Sequence, residues 1–291
     1  MLNTIFTFWE PADRMPAYLR LCMDTWKVNL SGMTLIVLDH SNLHKFIPDG
    51  SLSLQNLKRF PLLVQKDGIM SAVLKFTGGM FIDADMILAG KISGLLSYLE
   101  KYEMVTFGHH LSFAAARPDT LLLNEWYAEV RDRINQFAGD GKTVNWDYLG
   151  NSIVNRKLKK PRKYRVKVID EYDAAFTPEI LYFINRMNAI KQYGDFWFSE
   201  SIGTDKVFYK NQAIIMLHNS WTPGWYSEFT RDEVLDHSCL LSRSLRHLLS
   251  PDQKTLAINH VSFSVYLMAQ LWRLFKAIRR RLEKVADIKF F

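Results

Sequence analysis

Strand-like and helix-like apolar patterns alternate between residues 4 and 88, and this alternation restricts the chain to an open α/β sheet. "TIFTFW" (4–9) is rich in β-branched and aromatic residues and ends at "EP", a strand followed by a loop. The following "MPAYLRLCMDTWKVNL" carries Tyr18, Leu19, Cys22, Met23 and Trp26 at helical spacing. "MTLIVLD" (33–39) is a short continuous apolar run of the kind a buried parallel strand needs. "DGIMSAVLKF" (67–76) returns to helix, and "GGMFIDAD" (78–85) to strand. Further on, "EMVTFGH" (103–109) predicts a strand and "DTLLLNEWYAEVRDRI" (119–134) a helix with Asp119 as N-cap. "KVIDEYDAAFTPEILYFI" (167–184) predicts one strand and a loop.

With 291 residues, 48% of them hydrophobic, the chain can bury a sizeable core. The net charge of +7 is concentrated in two places. "RKLKKPRKYRVK" (156–167) reads as a basic loop, and the segment from Ile258 onward as a basic amphipathic helix with Leu267, Leu271, Leu274, Ile278, Leu282 and Val285 on one face. That helix suits an anionic membrane surface, and equally an ordinary terminal helix packed on the domain. A domain over 1–257 followed by a helical segment over 258–291 is the expected organisation. The basic loop holds one aromatic residue, Tyr164, and no helix-turn-helix or RNP-like pattern accompanies it, so no nucleic-acid partner is expected. Cys22 and Cys239 have neither disulfide-framework nor zinc-ligand spacing, and no apolar run is long enough to span a bilayer. A cytoplasmic location, peripheral on the inner membrane face if the tail binds lipid, is the expectation.

Asp83 and Asp85 stand at the end of the apolar run Gly79–Ile82. If the run stays extended through Ala84, both side chains point to one side. Ligands of open α/β sheets bind outside the carboxyl ends of strands. Two carboxylates there call for a hard divalent cation such as Mg²⁺ or Mn²⁺, while a solvated strand end is the plainer account of the pair.

In "DGIMSAVLKFTGGMFIDADM" an Asp opens a helix and Gly-Gly-x-aromatic-aliphatic-Asp-x-Asp closes the segment. This resembles the signature of the DXD glycosyltransferases of the mannosyltransferase, clostridial-toxin glucosyltransferase and capsular polysaccharide synthesis group, with Asp67, Gly78, Gly79, Phe81, Asp83 and Asp85 in matching places. "IFTFWEP" resembles the first strand of that group, ending in Trp9, and "LHNSW" (217–221) resembles its C-terminal metal and phosphate segment. The resemblance implies a GT-A fold, a Rossmann-like open mixed sheet flanked by helices. It also implies a nucleotide-sugar donor, with UDP-glucose or UDP-galactose favoured, a divalent metal, and transfer with retention to a saccharide or lipid-linked acceptor of a surface polysaccharide.

The same resemblance implies roles. Asp85 would bind Mn²⁺ or Mg²⁺ directly, Asp83 through water or by contacting ribose and sugar hydroxyls, and His218 as a neutral imidazole; a satisfied core histidine is the competing account of His218. Trp9 would stack on the base or anchor the first strand. Asp67 would contact the donor or cap its helix, and Gly79 with Gly78 would make room for the donor. Ser220 and Trp221 would bond the leaving phosphate, and Asp147 and Asn151 would contact donor or acceptor sugar. Where the group carries an arginine, three residues after the opening Asp, this chain has Met70. Arg14, Arg117, Lys206, Lys210 and Arg231 are candidate replacements. A nucleotidyltransferase and a non-catalytic sugar-binding or assembly protein are the alternative functions.

Overall fold

The computed structural model describes residues 3–108, 110–137, 144–159, 163–170, 174–180, 183, 188–208 and 212–250. The expected helical segment 258–291, and with it the boundary at 257, lies outside them, as do His109 and Lys210.

The predicted alternation is present. β1 (Thr4–Phe8) pairs in parallel with β2 (Thr34–Leu38) and, on its other side, with β3 (Gly79–Ile82). After β4 (Met86–Leu88), the strands β5 (Met104–Phe107), β6 (Phe113–Ala116) and β7 (Val166–Ile169) extend the main sheet to the order β2-β1-β3-β6-β5-β7. β6 is antiparallel to both neighbours, so the sheet is mixed. A second sheet, β4-β9-β8, adds β8 (Ala175–Phe176) and β9 (Ile214–Met216). The stretch 167–184 thus contributes to two strands rather than one, the second being only two residues long.

Alternate residues of the main sheet feed two cores, as strand geometry requires. Ile5, Met80, Ile82, Val105, Phe107 and Phe113 pack with helix α1 (Ala17–Asn29) and the second sheet. Phe6, Phe8, Phe81, Met104 and Ala114 pack against α2 (Leu62–Phe76) and α3 (Leu121–Gln136) on the other face. Trp26, Thr25 and Asn29 of α1 hydrogen-bond the free edge of β4, at Met86 O (2.7 Å), Leu88 N (2.9 Å) and Leu88 O (2.8 Å). Side chains of one helix therefore do for this edge strand what a further strand would do.

Helix starts differ from expectation for local reasons. α2 begins at Leu62, after Pro61, so Asp67 lies inside the helix, 3% exposed, and is no N-cap. α3 is capped by Thr120, whose hydroxyl accepts the Leu123 N–H; Asp119 adopts φ +58° and pairs with Lys75 at 2.8 Å. The basic run is not one loop either. Arg156 and Lys157 belong to α4 (Asn151–Leu158), and with Lys163 they pair with Glu125 and Glu129 of α3. Three of its eight basic residues are thereby paired within the chain.

Candidate active site

The Gly78–Gly79 turn reverses the chain between α2 and β3, which brings the first turns of α2 beside the carboxyl end of β3. Both glycines have positive φ, +66° and +114°. A Cβ on Gly78 would stand 2.7 Å from Pro118 Cδ, and one on Gly79 would stand 3.0 Å from Thr4 O and the Phe6 ring. The pair therefore makes room for Pro118 and β1. Gly79 sits at the opposite end of the four-residue β3 from the aspartates, about 13 Å of strand away.

The chain does not stay extended through Ala84. Residues 83–85 turn, with the Met86 N–H bonding to Asp83 O at 3.0 Å, and carry the chain from the main sheet into the second one. The two carboxylates consequently meet different partners. Asp83 faces α2, where Lys66 Nζ lies 3.0 Å from its Oδ1. Asp85 faces the segment after β9, and its Oδ2 accepts the Asn219 backbone N–H at 2.8 Å. Burial, then the charge of Asp83, pushes the Asp85 carboxyl above the ordinary aspartate range, against the pull of Asn219 and His218.

Pairing of β4 with β9, Met86 opposite Met216, is what delivers "LHNSW" to this place. Leu217 N bonds Asp85 O at 3.2 Å, and Asn219–Trp221 form a 3-10 turn. His218 Nε2 lies 2.8 Å from Glu179 Oε1, and the Trp221 ring packs on the imidazole with centroids 4.2 Å apart. Burial acts to lower the His218 pKa, but Glu179 and then Asp85 outweigh it and raise the value. Tyr193 Oη accepts the His218 backbone N–H at 3.1 Å, and Tyr18 Oη donates to Asn219 Oδ1 at 2.5 Å. Ser220 is exposed. Trp9, half-buried, follows β1 at the same carboxyl edge and is held by its N–H to Leu38 O at 3.0 Å.

A second group of predicted residues gathers around Asp67. Gly150 approaches it so closely that a Cβ there would lie 1.9 Å from Asp67 Oδ2, and Asn151 follows at the start of α4, 3% exposed. Burial pushes the Asp67 carboxyl up to about 6 despite Lys66, and the charges of Asp83 and Asp147 act in the same direction. The structure thus brings Asp67, Asp83, Asp147 and Asn151 to one side of the turn, and Asp85, His218 and Trp221 to the other.

Asp83, Asp85 and His218 are not gathered into a ready-made metal cluster. Among the described residues no three His, Cys, Asp or Glu side chains are placed to hold an ion together. The reason lies in the partners: Lys66 draws Asp83 one way and Glu179 draws His218 the other.

Sequence reasoning missed Lys66, Glu179, Asn219, Tyr18 and Tyr193. Lys66 adjoins Asp67, and Asn219 stands inside "LHNSW" beside the residue chosen instead. Glu179 carries no local signal. Of the cations proposed to replace the arginine at Met70, Arg117 bonds Leu99 O beyond the far end of β6, Arg231 pairs with Asp24 at 2.6 Å, and Lys206 lies 3.2 Å from Asp205. Arg14 is exposed in the turn after β1. Met70 itself is fully buried in the core.

The model of a family described as capsular polysaccharide synthesis protein matches residues 1–149, half of the chain. The chain belongs to this family. The matched part of this capsular polysaccharide synthesis protein contains Trp9, Lys66, Asp67, Asp83, Asp85 and Asp147; the His218 segment and Glu179 lie beyond it. No curated protein matches it. Among solved structures it is similar to a glycosyltransferase involved in the glycosylation of the major capsid of PBCV-1, at 13% identity and a TM-score of 0.42, with 77% of this chain and 97% of that one covered. It is also similar to the glycosyltransferase GlyE of Streptococcus pneumoniae TIGR4, at 10% identity and a TM-score of 0.38, covering 94% of this chain and 64% of GlyE. For the apo form of GlyE the figures are 12% identity, a TM-score of 0.41, and 91% and 66% covered. The chain thus spans about two thirds of GlyE's length.

Proposed function

We propose that this capsular polysaccharide synthesis protein is a metal-dependent glycosyltransferase. It moves a hexose from a UDP-sugar, UDP-glucose or UDP-galactose, to a saccharide or lipid-linked acceptor of a surface polysaccharide, with retention. The observation that carries this reading is the junction of the Asp83–Asp85 turn with the His218–Trp221 segment through Asp85 and Asn219.

Two carboxylates and an imidazole are ligand types a divalent cation takes, and its binding would draw Asp83 and His218 away from Lys66 and Glu179. Asp85 is a buried carboxylate beside the charge of Asp83, and burial and then that charge push its pKa upward. His218 has one ring nitrogen fixed by a carboxylate, the arrangement that orients the other nitrogen of a metal-binding histidine. Asp85, Asp83 and His218 would hold Mn²⁺ or Mg²⁺, with donor oxygens completing the set. A bound cation of this kind supplies Lewis-acid stabilisation of the diphosphate leaving group. Trp9 offers a ring for the base, and Trp221 an indole N–H for a phosphate oxygen. Asp67 and Asp147 flank the place of the sugar. No base is assigned, since a leaving phosphate oxygen suffices to take the acceptor proton in a same-face transfer.

No helix among the described residues is long and apolar enough to cross a membrane. The reaction we envisage takes place on the cytoplasmic side of the membrane, with the segment 258–291 as its lipid contact. The test is Mn²⁺-dependent hydrolysis of a panel of nucleotide sugars. Turnover of UDP-glucose or UDP-galactose that chelation abolishes is the expected result; no turnover of any nucleotide sugar would overturn the reading.

A further inference from the structure

Lys66 is buried to 13% side-chain exposure, at the carboxyl edge of the main sheet. Its Nζ lies 2.9 Å from Asp67 Oδ1, 3.0 Å from Asp83 Oδ1 and 3.2 Å from the carbonyl oxygen of Leu111. The ammonium donates hydrogen bonds to Asp83 Oδ1 and Leu111 O, while Asp67 Oδ1 stands at ion-pair distance from it. Burial alone would lower its pKa, but Asp67 and Asp83 outweigh burial and hold it above the ordinary lysine value.

Two consequences follow from charge and geometry. Asp83 is pinned through Oδ1 and offers only Oδ2 to anything bound at the sheet edge. When ionised, Asp67, Asp83 and Asp85 together with Lys66 carry two net negative charges instead of three, which one divalent cation cancels. A fixed positive charge against Asp83 also repels a second cation approaching the same carboxylates. Diphosphate oxygens bring the negative charge that this arrangement withholds.

We propose that Lys66 is a positioning residue of the donor site: it fixes Asp83 and weakens the affinity of the Asp83–Asp85 edge for a bare divalent cation, so that cation and nucleoside diphosphate are taken up together. This rests on the transferase reading above. By binding linkage, UDP raises Mn²⁺ affinity by the same factor as Mn²⁺ raises UDP affinity.

The experiment is Mn²⁺ binding by electron paramagnetic resonance, with and without UDP, on the parent, Lys66→Gln and Lys66→Arg. Lys66→Gln is expected to bind Mn²⁺ alone on the order of tenfold more tightly than the parent, the scale on which a neighbouring charge shifts an ionic equilibrium. It should also show less gain on adding UDP, while Lys66→Arg keeps the parent's behaviour. In Lys66→Gln/Asp67→Asn the ion pair leaves together, which spares the fold a lone buried carboxylate. That variant should also bind bare Mn²⁺ more tightly, because Asp83 Oδ1 is released. Unchanged or weaker Mn²⁺ binding in folded Lys66→Gln or in the double variant, with the parent still binding Mn²⁺ and UDP together, overturns the role of Lys66 and leaves the transferase reading standing. A parent that binds Mn²⁺ neither alone nor with UDP sinks both.

Discussion

Asp85 and Asn219 are joined by a 2.8 Å hydrogen bond from the Asn219 backbone N–H to Asp85 Oδ2, across 134 positions of sequence. Because the donor is backbone, the bond depends on the path of the chain after β9 and not on which side chain stands at 219. Asp85→Asn keeps an oxygen acceptor for that N–H and removes only the charge. The expected outcome is a loss of Mn²⁺-dependent UDP-sugar hydrolysis of about 100-fold or more, with a melting temperature within about 4 °C of the parent. A loss under tenfold would contradict a role for Asp85 in catalysis.

Glu179 reaches His218 from a turn that carries no recognisable motif. If it orients a metal-binding imidazole, Glu179→Gln lowers Mn²⁺ affinity in the presence of UDP by about 10- to 100-fold. Isothermal titration in the presence of UDP is the measurement, and an unchanged affinity would make the pair a structural contact only.

The free edge of β4 is held by α1, and Trp26→Phe removes one of those holds. Met86 O would then be buried without its donor. The expected cost is about 1–3 kcal/mol in urea denaturation. A shift below about 0.5 kcal/mol would mean that another group or water takes the place of the indole N–H.

Gly78→Ala separates packing from ligand binding. A Cβ at φ +66° would meet Pro118 Cδ at 2.7 Å, so destabilisation of about 1–3 kcal/mol is expected. The KM for donor in the folded fraction should stay as in the parent, since the glycine turn lies at the far end of β3. A raised KM with unchanged stability would support the donor role that the motif implies.

Glu125 gives the fold a pH dependence of known sign. The Lys163 and then the Tyr164 hydrogen bond depress its pKa to about 2. A carboxylate depressed from about 4.3 stabilises the folded state fully above that value and progressively less as pH falls toward 2. The stability difference between the parent and Glu125→Gln should therefore shrink between pH 5 and pH 2, and should shrink at high salt as well, because the pair is partly exposed. A difference that stays flat from pH 5 to pH 2 would remove Glu125 from the account.

The order of early strands and helices was legible in residue patterns, because strand and helix periodicities are local properties, whereas the mixed sheet and the interest of "LHNSW" came from the family resemblance. The start of α2 was not, since "LLVQK" before Asp67 lacks a capping signal and Pro61 begins the helix without one. The Asp-x-Asp spacing also misled: extended geometry would put both carboxylates on one side, yet the chain turns at 83–85 because β3 and β4 belong to different sheets.

What the sequence by itself determined is which residue types stand close along the chain: two aspartates after a buried strand, a lysine next to Asp67, a histidine after an apolar run. Only the tertiary structure decided that Lys66 closes on Asp83, that Glu179 claims His218, and that Asn219 bonds Asp85. The physical reason is that these contacts join groups brought together by sheet pairing and helix packing, and no local periodicity encodes which distant segment a strand end will meet.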